Sequence, residues 1–403
     1  MLDHFIATYR RLLQNIHYKH RRYMFDTFNI ENRLTGLIGP RGAGKTTLLL
    51  QYINEKIKNK DECIYASIDH LYFSKNLLLD FINELYEVYG VKYFFLDEIH
   101  KYQNWNQELK NIYDSYPDIK IVFSGSSSMD LTKGAYDLSR RGVLYRMEGM
   151  SFREYLLFYE IAEITPVSLD ELLHNKTAIQ EKAAKIKRIK GHFKHYLGGG
   201  YYPFSLEDQL TYHQKIVRII DKTIYEDISH FYKLKTENIS NFKRILSYLA
   251  TIPPGELKIN NISNNIGIDN KTARHYVNIL HETGLVELVS ENRSGSNILK
   301  KTEKMYLDNP DLYKAIIDEI GHASHIGTMR EIFFIKMLKN SGHKLYYSKT
   351  GDFEIEGTFF EIGGKNKTRK QIKNNLNDAF LVKDDILFGN KHEIPLYLFG
   401  FLY

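Results

Sequence analysis

Nine consecutive residues, Gly39-Pro40-Arg41-Gly42-Ala43-Gly44-Lys45-Thr46-Thr47, carry the densest chemistry in the chain. Three glycines let backbone N–H groups come close to a ligand, a lysine adds a point charge, and a hydroxyl follows it directly. This set suits a polyphosphate: amides cradle it, Lys45 neutralises its outer phosphates, and Thr46 offers an oxygen to Mg²⁺. Asp97-Glu98 is the second candidate pair. Asp97 would share the metal with Thr46, and Glu98 would orient and deprotonate an attacking water. The plainer alternative is an Asp-Glu pair that only ends a strand at the surface.

Two further groups fit the same chemistry. Ser124-Gly125-Ser126-Ser127-Ser128 follows an apolar run, and Ser124 or Ser126 is the candidate γ-phosphate sensor, although serine is also common in polar turns. Arg140, Arg141 and Arg146 surround the next apolar run, and any of them, with Arg141 taken as the candidate, is a possible arginine finger or a solvated charge.

These residues need elements to hold them. Leu34 to Ile38 reads as a buried strand, and the apolar run from Thr47 through Ile53 and Ile57 as a helix, which gives the strand-loop-helix order a phosphate loop requires. Tyr93 to Leu96 reads as a parallel strand with its acidic end at a ligand crevice. With Cys63 to Ile68, Lys120 to Phe123 and Val143 to Met147, the spacing predicts an α/β, doubly wound parallel sheet over residues 31–150.

At 403 residues the chain is long enough for two or three domains. Apolar content of 43% and charged content of 26% are those of a folded protein. The single cysteine, Cys63, excludes an internal disulfide framework and fits a reducing cytoplasm. No apolar run approaches the ~18 residues of a membrane span, and the N-terminus lacks a basic start before an apolar stretch. A net charge of +6 permits contact with nucleic acid without requiring it.

Residues 1–30 form a basic arm in which Arg10, Arg11, Lys19, Arg21 and Arg22 alternate with Tyr9, Tyr18 and Tyr23. Such an arm suits either nucleic acid or packing against the core. Ser151-Phe152-Arg153-Glu154-Tyr155 opens a helical region to residue 250, punctuated by Gly198-Gly199-Gly200-Tyr201-Tyr202-Pro203. Over 251–310 the pattern is that of a winged helix: a helix ends at Gly267, a second starts at Asn270 after Asp269, and Ala273, Val277 and Leu280 form its apolar face. Lys271, Arg274, His275 and Asn278 lie on another face, suited to a DNA major groove, with Glu291-Asn292-Arg293-Ser294-Gly295 as a wing tip. A winged helix used only for packing has the same pattern.

Over 311–403 a helix and short strands near Lys344 to Tyr347, Phe353 to Glu356 and Thr358 to Ile362 place Glu331, Asp352 and Glu361 as the acids of a restriction-endonuclease-like fold would stand. That chemistry wants lysine two residues after the strand glutamate, about 6.6 Å along the same face. Gly363 holds the place, and Lys365 reaches it only through a bulge, so a remnant that does not cleave is the expectation. The run Lys365, Lys367, Arg369, Lys370, Lys373 still suits a phosphate backbone.

On these motifs, together with Leu96-Asp97-Glu98, Phe123-Ser124-Gly125-Ser126 and Phe360-Glu361-Ile362-Gly363-Gly364-Lys365, the chain resembles a large prokaryotic family of AAA-type P-loop ATPases. Its members join the ATPase core and helical lid to a winged helix and a restriction-endonuclease-like domain. The resemblance implies an ATP-binding, Mg²⁺-dependent ATPase acting as a switch or motor on a macromolecular partner. Double-stranded DNA, held by the winged helix and basic C-terminal region, is the expected partner; a protein partner and an oligomer are compatible with it. The alternatives are an ATP-dependent DNA endonuclease, a protein-partnered regulatory ATPase that does not touch DNA, and a small-molecule P-loop kinase. The C-terminal extension speaks against the kinase.

Overall fold

Five apolar stretches become a parallel sheet whose first four strands in sequence are buried on both sides, while the fifth, at the sheet's edge, stays half-exposed. The strands are β1 (Leu34–Ile38), β2 (Cys63–Ser67), β3 (Tyr93–Asp97), β4 (Lys120–Gly125) and β5 (Gly142–Arg146), in the order β2-β3-β4-β1-β5. The computed structural model describes residues 2–16, 19–125, 140–232, 236–255, 258–293, 303–368 and 379–403. Tyr18, Ser126 to Ser128, Ser294, Gly295, Arg369, Lys370 and Lys373 lie outside the described residues. The chain divides into two units, Met1–Gly149 and Met150–Tyr403.

In the first unit every strand pair is parallel, so all strand C-termini lie along one edge. β1, β4 and β3 end there, which gathers residues far apart in sequence. Helix α1 (Leu2–Gln14) buries Leu2, Phe5 and Tyr9, whose spacing of three and four makes one helical face. Phe5 meets Phe81 at 5.1 Å, and the Tyr9 hydroxyl donates to the Lys60 carbonyl at 3.1 Å. The basic arm thus packs on its own unit: Arg10 pairs with Asp61 and Arg21 with Glu55. Helices α2 (Lys45–Lys56), α3 (Leu78–Tyr89) and α4 (Trp105–Ser115) follow β1, β2 and β3.

The second unit begins with α5 (Phe152–Phe158), capped at Ser151 by a reciprocal pair of bonds with Glu154. Ser151 Oγ and Arg153 Nε also donate to the Tyr403 main-chain oxygen, at 2.7 and 3.0 Å. Helices α6 (Leu169–His174), α7 (Lys176–Ala184), α8 (Ile189–Gly199) and α9 (Tyr212–Lys222) follow, the last running on as a π-helix through Thr223–Ile228. Phe152 stacks on Phe401 and Phe193 meets Phe333 edge-on, so these helices share a core with the C-terminal elements.

Three more helices, α10 (Thr236–Thr251), α11 (Ile259–Ile266) and α12 (Asn270–Glu282), lead into an antiparallel pair, β6 (Val286–Ser290) and β7 (Glu303–Leu307). Asp269 caps α12 as its position predicts, accepting from the Lys271 and Thr272 amides, and Ala273, Val277 and Leu280 are buried. Helices α13 (Pro310–Glu319) and α14 (Ile326–Asn340) precede a mixed sheet of β8 (Tyr346–Tyr347), β9 (Phe353–Ile355), β10 (Thr358–Gly363), β11 (Ala379–Lys383) and β12 (Glu393–Pro395). Its order is β12-β11-β10-β9-β8, parallel on the β12 side of β10 and antiparallel on the other. Among the described residues no helix is long and apolar enough to cross a membrane.

Candidate nucleotide site

The loop after β1 has the backbone its glycines permit. Gly42 and Gly44 take left-handed φ values of 81° and 94°. Gly39 lies so close to Met147 that a Cβ there would stand 2.0 Å from the Met147 carbonyl oxygen. Helix α2 starts at Gly44 with no side-chain cap, which leaves its first amides for a ligand. Lys45 is buried, and its Nζ donates to the carbonyls of Gly39 and Pro40 at 2.9 and 3.0 Å. Ala43 is buried in the loop, Pro40, Arg41 and Thr47 are half-buried, and Thr46 is exposed.

Asp97 closes the site from β3. Its Oδ2 accepts from Thr46 Oγ1 at 2.6 Å and from the Tyr65 hydroxyl at 2.6 Å, and its Oδ1 accepts from Ser124 Oγ. A hydroxyl and a carboxylate this close, beside uncapped amides, form the oxygen donor set that suits Mg²⁺. Glu98 takes a left-handed φ of 56°, and its amide donates to Ser124 Oγ at 3.2 Å. Its carboxylate lies 3.4 Å from Nε2 of the buried His100.

Lys45, Thr46, Asp97, Glu98 and Ser124 therefore meet at one edge of the sheet. Ser124, the expected sensor, is fully buried, and its hydroxyl donates to the Asp97 carboxylate and accepts from the Glu98 amide, a placement suited to a brace. Arg141, the candidate arginine finger, stands at the other end of β5. Gly142 pairs with Leu34 at the far end of β1, so Arg141 sits roughly 13 Å, four residue rises, from the loop end. There it pairs with Asp114 at 3.2 Å. Ser126 lies outside the described residues.

Sequence reasoning missed Tyr65 and His100. Burial and the neighbouring Asp97 charge push the Tyr65 pKa up, which keeps its hydroxyl a donor to that carboxylate. Tyr65 looks like any strand aromatic in sequence, whereas His100, two residues beyond Glu98, had a visible spacing.

The second unit alters two other expectations. The first three residues of the expected wing tip are held: Glu291 bridges to Tyr347, Asn292 Nδ2 donates to Glu354 at 2.7 Å, and Arg293 bonds Glu291. Arg274 pairs with Glu303 at 3.0 Å, whereas Lys271, His275 and Asn278 are exposed. In the C-terminal sheet, Glu361 is 1% exposed and its Oε1 lies 3.1 Å from Lys367 Nζ. No bulge brings in the exposed Lys365, because β10 stays in register with β11 through Gly363. Lys367 instead lies across Gly363, where a Cβ would meet its Cγ at 2.5 Å. Asp352 accepts from the Ile362 amide at 2.7 Å, and Tyr306 donates to Glu331 at 2.9 Å. Burial, then the Asp352 charge, pushes Glu331 up to about 7. Among the described residues no group of three or more His, Cys, Asp or Glu side chains is arranged to hold a metal ion.

Residues 31–156 match the family model of an AAA domain, and residues 190–321 match that of a domain of unknown function, DUF8612. The first unit thus contains an AAA-type P-loop ATPase domain. No curated protein matches the chain. Similar solved structures include PCH-2 of C. elegans, at 20% identity and a TM-score of 0.24 over 38% of this chain and 44% of that one. AMPPCP-bound DnaA from Aquifex aeolicus is similar at 16% identity and 0.27, over 69% and 87%. The S. cerevisiae Hsp104-ADP complex is similar at 14% and 0.28, over 69% and 38%. The chain spans less than half the length of PCH-2 and of Hsp104.

Proposed function

We propose that the protein is an ATP hydrolase that works as a switch or motor coupled to a macromolecular partner, with double-stranded DNA as that partner. The observation that carries the reading is the meeting of Lys45, Thr46, Asp97 and Glu98 at the open end of β1 and β3. The Gly42 to Thr46 amides would cradle the phosphates of ATP, and Lys45 would leave its two carbonyl partners for the outer phosphate oxygens. Mg²⁺, held by Thr46 and Asp97, would supply charge neutralisation at the transferred phosphoryl group. Glu98 would orient and deprotonate water, while Ser124 holds its amide and the Asp97 carboxylate in fixed relation. DNA contact is supported by exposed Lys271, His275 and Asn278 on α12 of a winged helix over 251–310. Steady-state hydrolysis by wild type and Glu98→Gln, with and without duplex DNA, tests both parts. DNA-stimulated turnover that vanishes in the variant supports them; turnover indifferent to DNA removes DNA as the partner.

A second reading, metal-dependent DNA cleavage by a restriction-endonuclease-like C-terminal domain, is favoured by one observation. The Lys367 ammonium, 3.1 Å from Glu361, fills the space the absent lysine at 363 would have used. Nicking of supercoiled plasmid in Mg²⁺, lost in both Glu361→Gln and Lys367→Met, would carry this reading, and an unchanged plasmid would end it.

A further inference from the structure

Arg22 belongs to the segment before β1, outside the nucleotide motifs, yet it is only 5% exposed. A buried guanidinium is costly unless acceptors surround it. One of its nitrogens donates to the Ala43 carbonyl, inside the phosphate loop, and another to the Glu148 carbonyl at 2.7 Å. Its neighbours continue the seam. The Tyr23 hydroxyl accepts from the Glu148 amide at 3.3 Å, and Gln51 of α2 donates to the His20 carbonyl at 3.1 Å. The Glu148 segment is itself in the loop's wall, since Met147 donates to the Ile38 carbonyl and touches Gly39.

A trans peptide points its C=O and the following N–H in opposite directions. A donor that fixes the Ala43 carbonyl on the outer side of the loop therefore fixes the Gly44 N–H toward the inner side. Gly44, at φ 94°, is free to rotate in a way that a residue with a Cβ is not, so this peptide needs an external hold. Arg22 also sets a permanent positive charge behind amides that must face an anion.

The geometry points to Arg22 as a positioning residue for the polyphosphate: it orients the Ala43–Gly44 peptide of the loop and ties the N-terminal segment to nucleotide binding. This inference rests on the nucleotide reading above. Arg22 touches the loop's outer face and acts on the ligand through Gly44. Its removal weakens binding of the phosphates and leaves Lys45 and Glu98 to do their chemistry.

The test uses the full chain with Mg²⁺, ADP titration calorimetry, ATP turnover, and melting followed by Trp105 fluorescence. Arg22→Met is expected to bind ADP roughly thirtyfold more weakly, the worth of one charge-assisted hydrogen bond. Arg22→Lys, which keeps the charge but gathers its donors on one nitrogen and loses the fork that spans both carbonyls, should fall between, with a raised KM for ATP and a kcat within about twofold of wild type. ADP affinity within about threefold of wild type in both variants, while Lys45→Ala loses binding, overturns the inference and leaves the nucleotide reading standing. A lowered kcat at unchanged KM, the sign of a smaller folded fraction, overturns it as well. Should melting show that Arg22→Met does not fold, Arg22→Lys decides alone. If Lys45→Ala itself binds ADP as wild type does, the nucleotide reading fails first and this inference falls with it.

Discussion

Replacing Ser124 by alanine separates a brace from a sensor. In the structure its hydroxyl donates to Asp97 and accepts from the Glu98 amide, both without solvent contact at Ser124. The substitution removes one hydrogen bond to a charged group, about 1.5–3 kcal/mol, and strands a largely shielded amide, about 1–3 kcal/mol. Their sum, about 2.5–6 kcal/mol, corresponds to a fall in melting temperature of roughly 5 °C or more for a unit of this size. Trp105 is the sole tryptophan of the sequence and lies 5.9 Å from Phe123, so its fluorescence reports unfolding of this unit beside the altered residue. Hydrolysis should fall, since both acids lose their brace, but the ratio of ATP to ADP affinity should stay within about twofold of wild type. A variant that melts as wild type does, yet loses its preference for ATP over ADP, refutes the brace and restores the sensor.

Three more substitutions follow from the structure. Tyr65→Phe removes a buried donor to Asp97 but leaves Thr46 and Ser124 in place, so it should cost about 1.5–3 kcal/mol in Trp105-monitored unfolding, less than Ser124→Ala. Arg141→Ala should leave hydrolysis by the isolated chain within about twofold, because Arg141 is engaged with Asp114 far from the loop; a loss beyond about tenfold would show an action from a neighbouring copy. Asp311, buried beneath the Gly-Gly-Tyr-Tyr turn and bonded by the Tyr201 amide, is pushed up to about 7 by burial. Its folded pKa lies above its unfolded one, so the stability it contributes is whole below about pH 4 and is lost as pH rises through 7, by up to roughly 4 kcal/mol. Urea unfolding followed by circular dichroism at pH 5 and pH 8 should show this fall flattened in Asp311→Asn, and parallel curves would refute it.

The nucleotide site was legible because its physics is local. Strand, glycine loop and helix are adjacent in sequence, and an apolar run ending in two acids has few other folds available. What escaped was lateral. Tyr65 reaches Asp97 because β2 lies beside β3, and Arg141 leaves the site because β5 pairs with β1 in a register that puts residue 142 opposite residue 34. Strand order and register are set by the whole sheet, and neither is written in the residues that depend on it. Lys367 escaped for a related reason. The expectation of lysine two residues after Glu361 assumed reach along one strand, whereas a long flexible side chain four residues past Gly363 folds back over the space that glycine leaves.

The bonds made by Glu291, Asn292 and Arg293 sharpen the DNA proposal into a number. A winged helix that binds through helix and wing together neutralises several phosphates, and each contributes about −0.9 to the slope of log affinity against log salt. Here Arg274 and Arg293 already pair with Glu303 and Glu291, and the Asn292 amide group is given to Glu354. Lys271 remains as an exposed cation on α12, so binding through this face alone should show a slope of about −2 or shallower, measured by anisotropy of labelled duplex DNA between low and physiological salt. Lys271→Ala should reduce it by about 1. A slope of about −4 or steeper that Lys271→Ala leaves unchanged would refute docking by α12 and move DNA contact to the basic residues beyond Gly364.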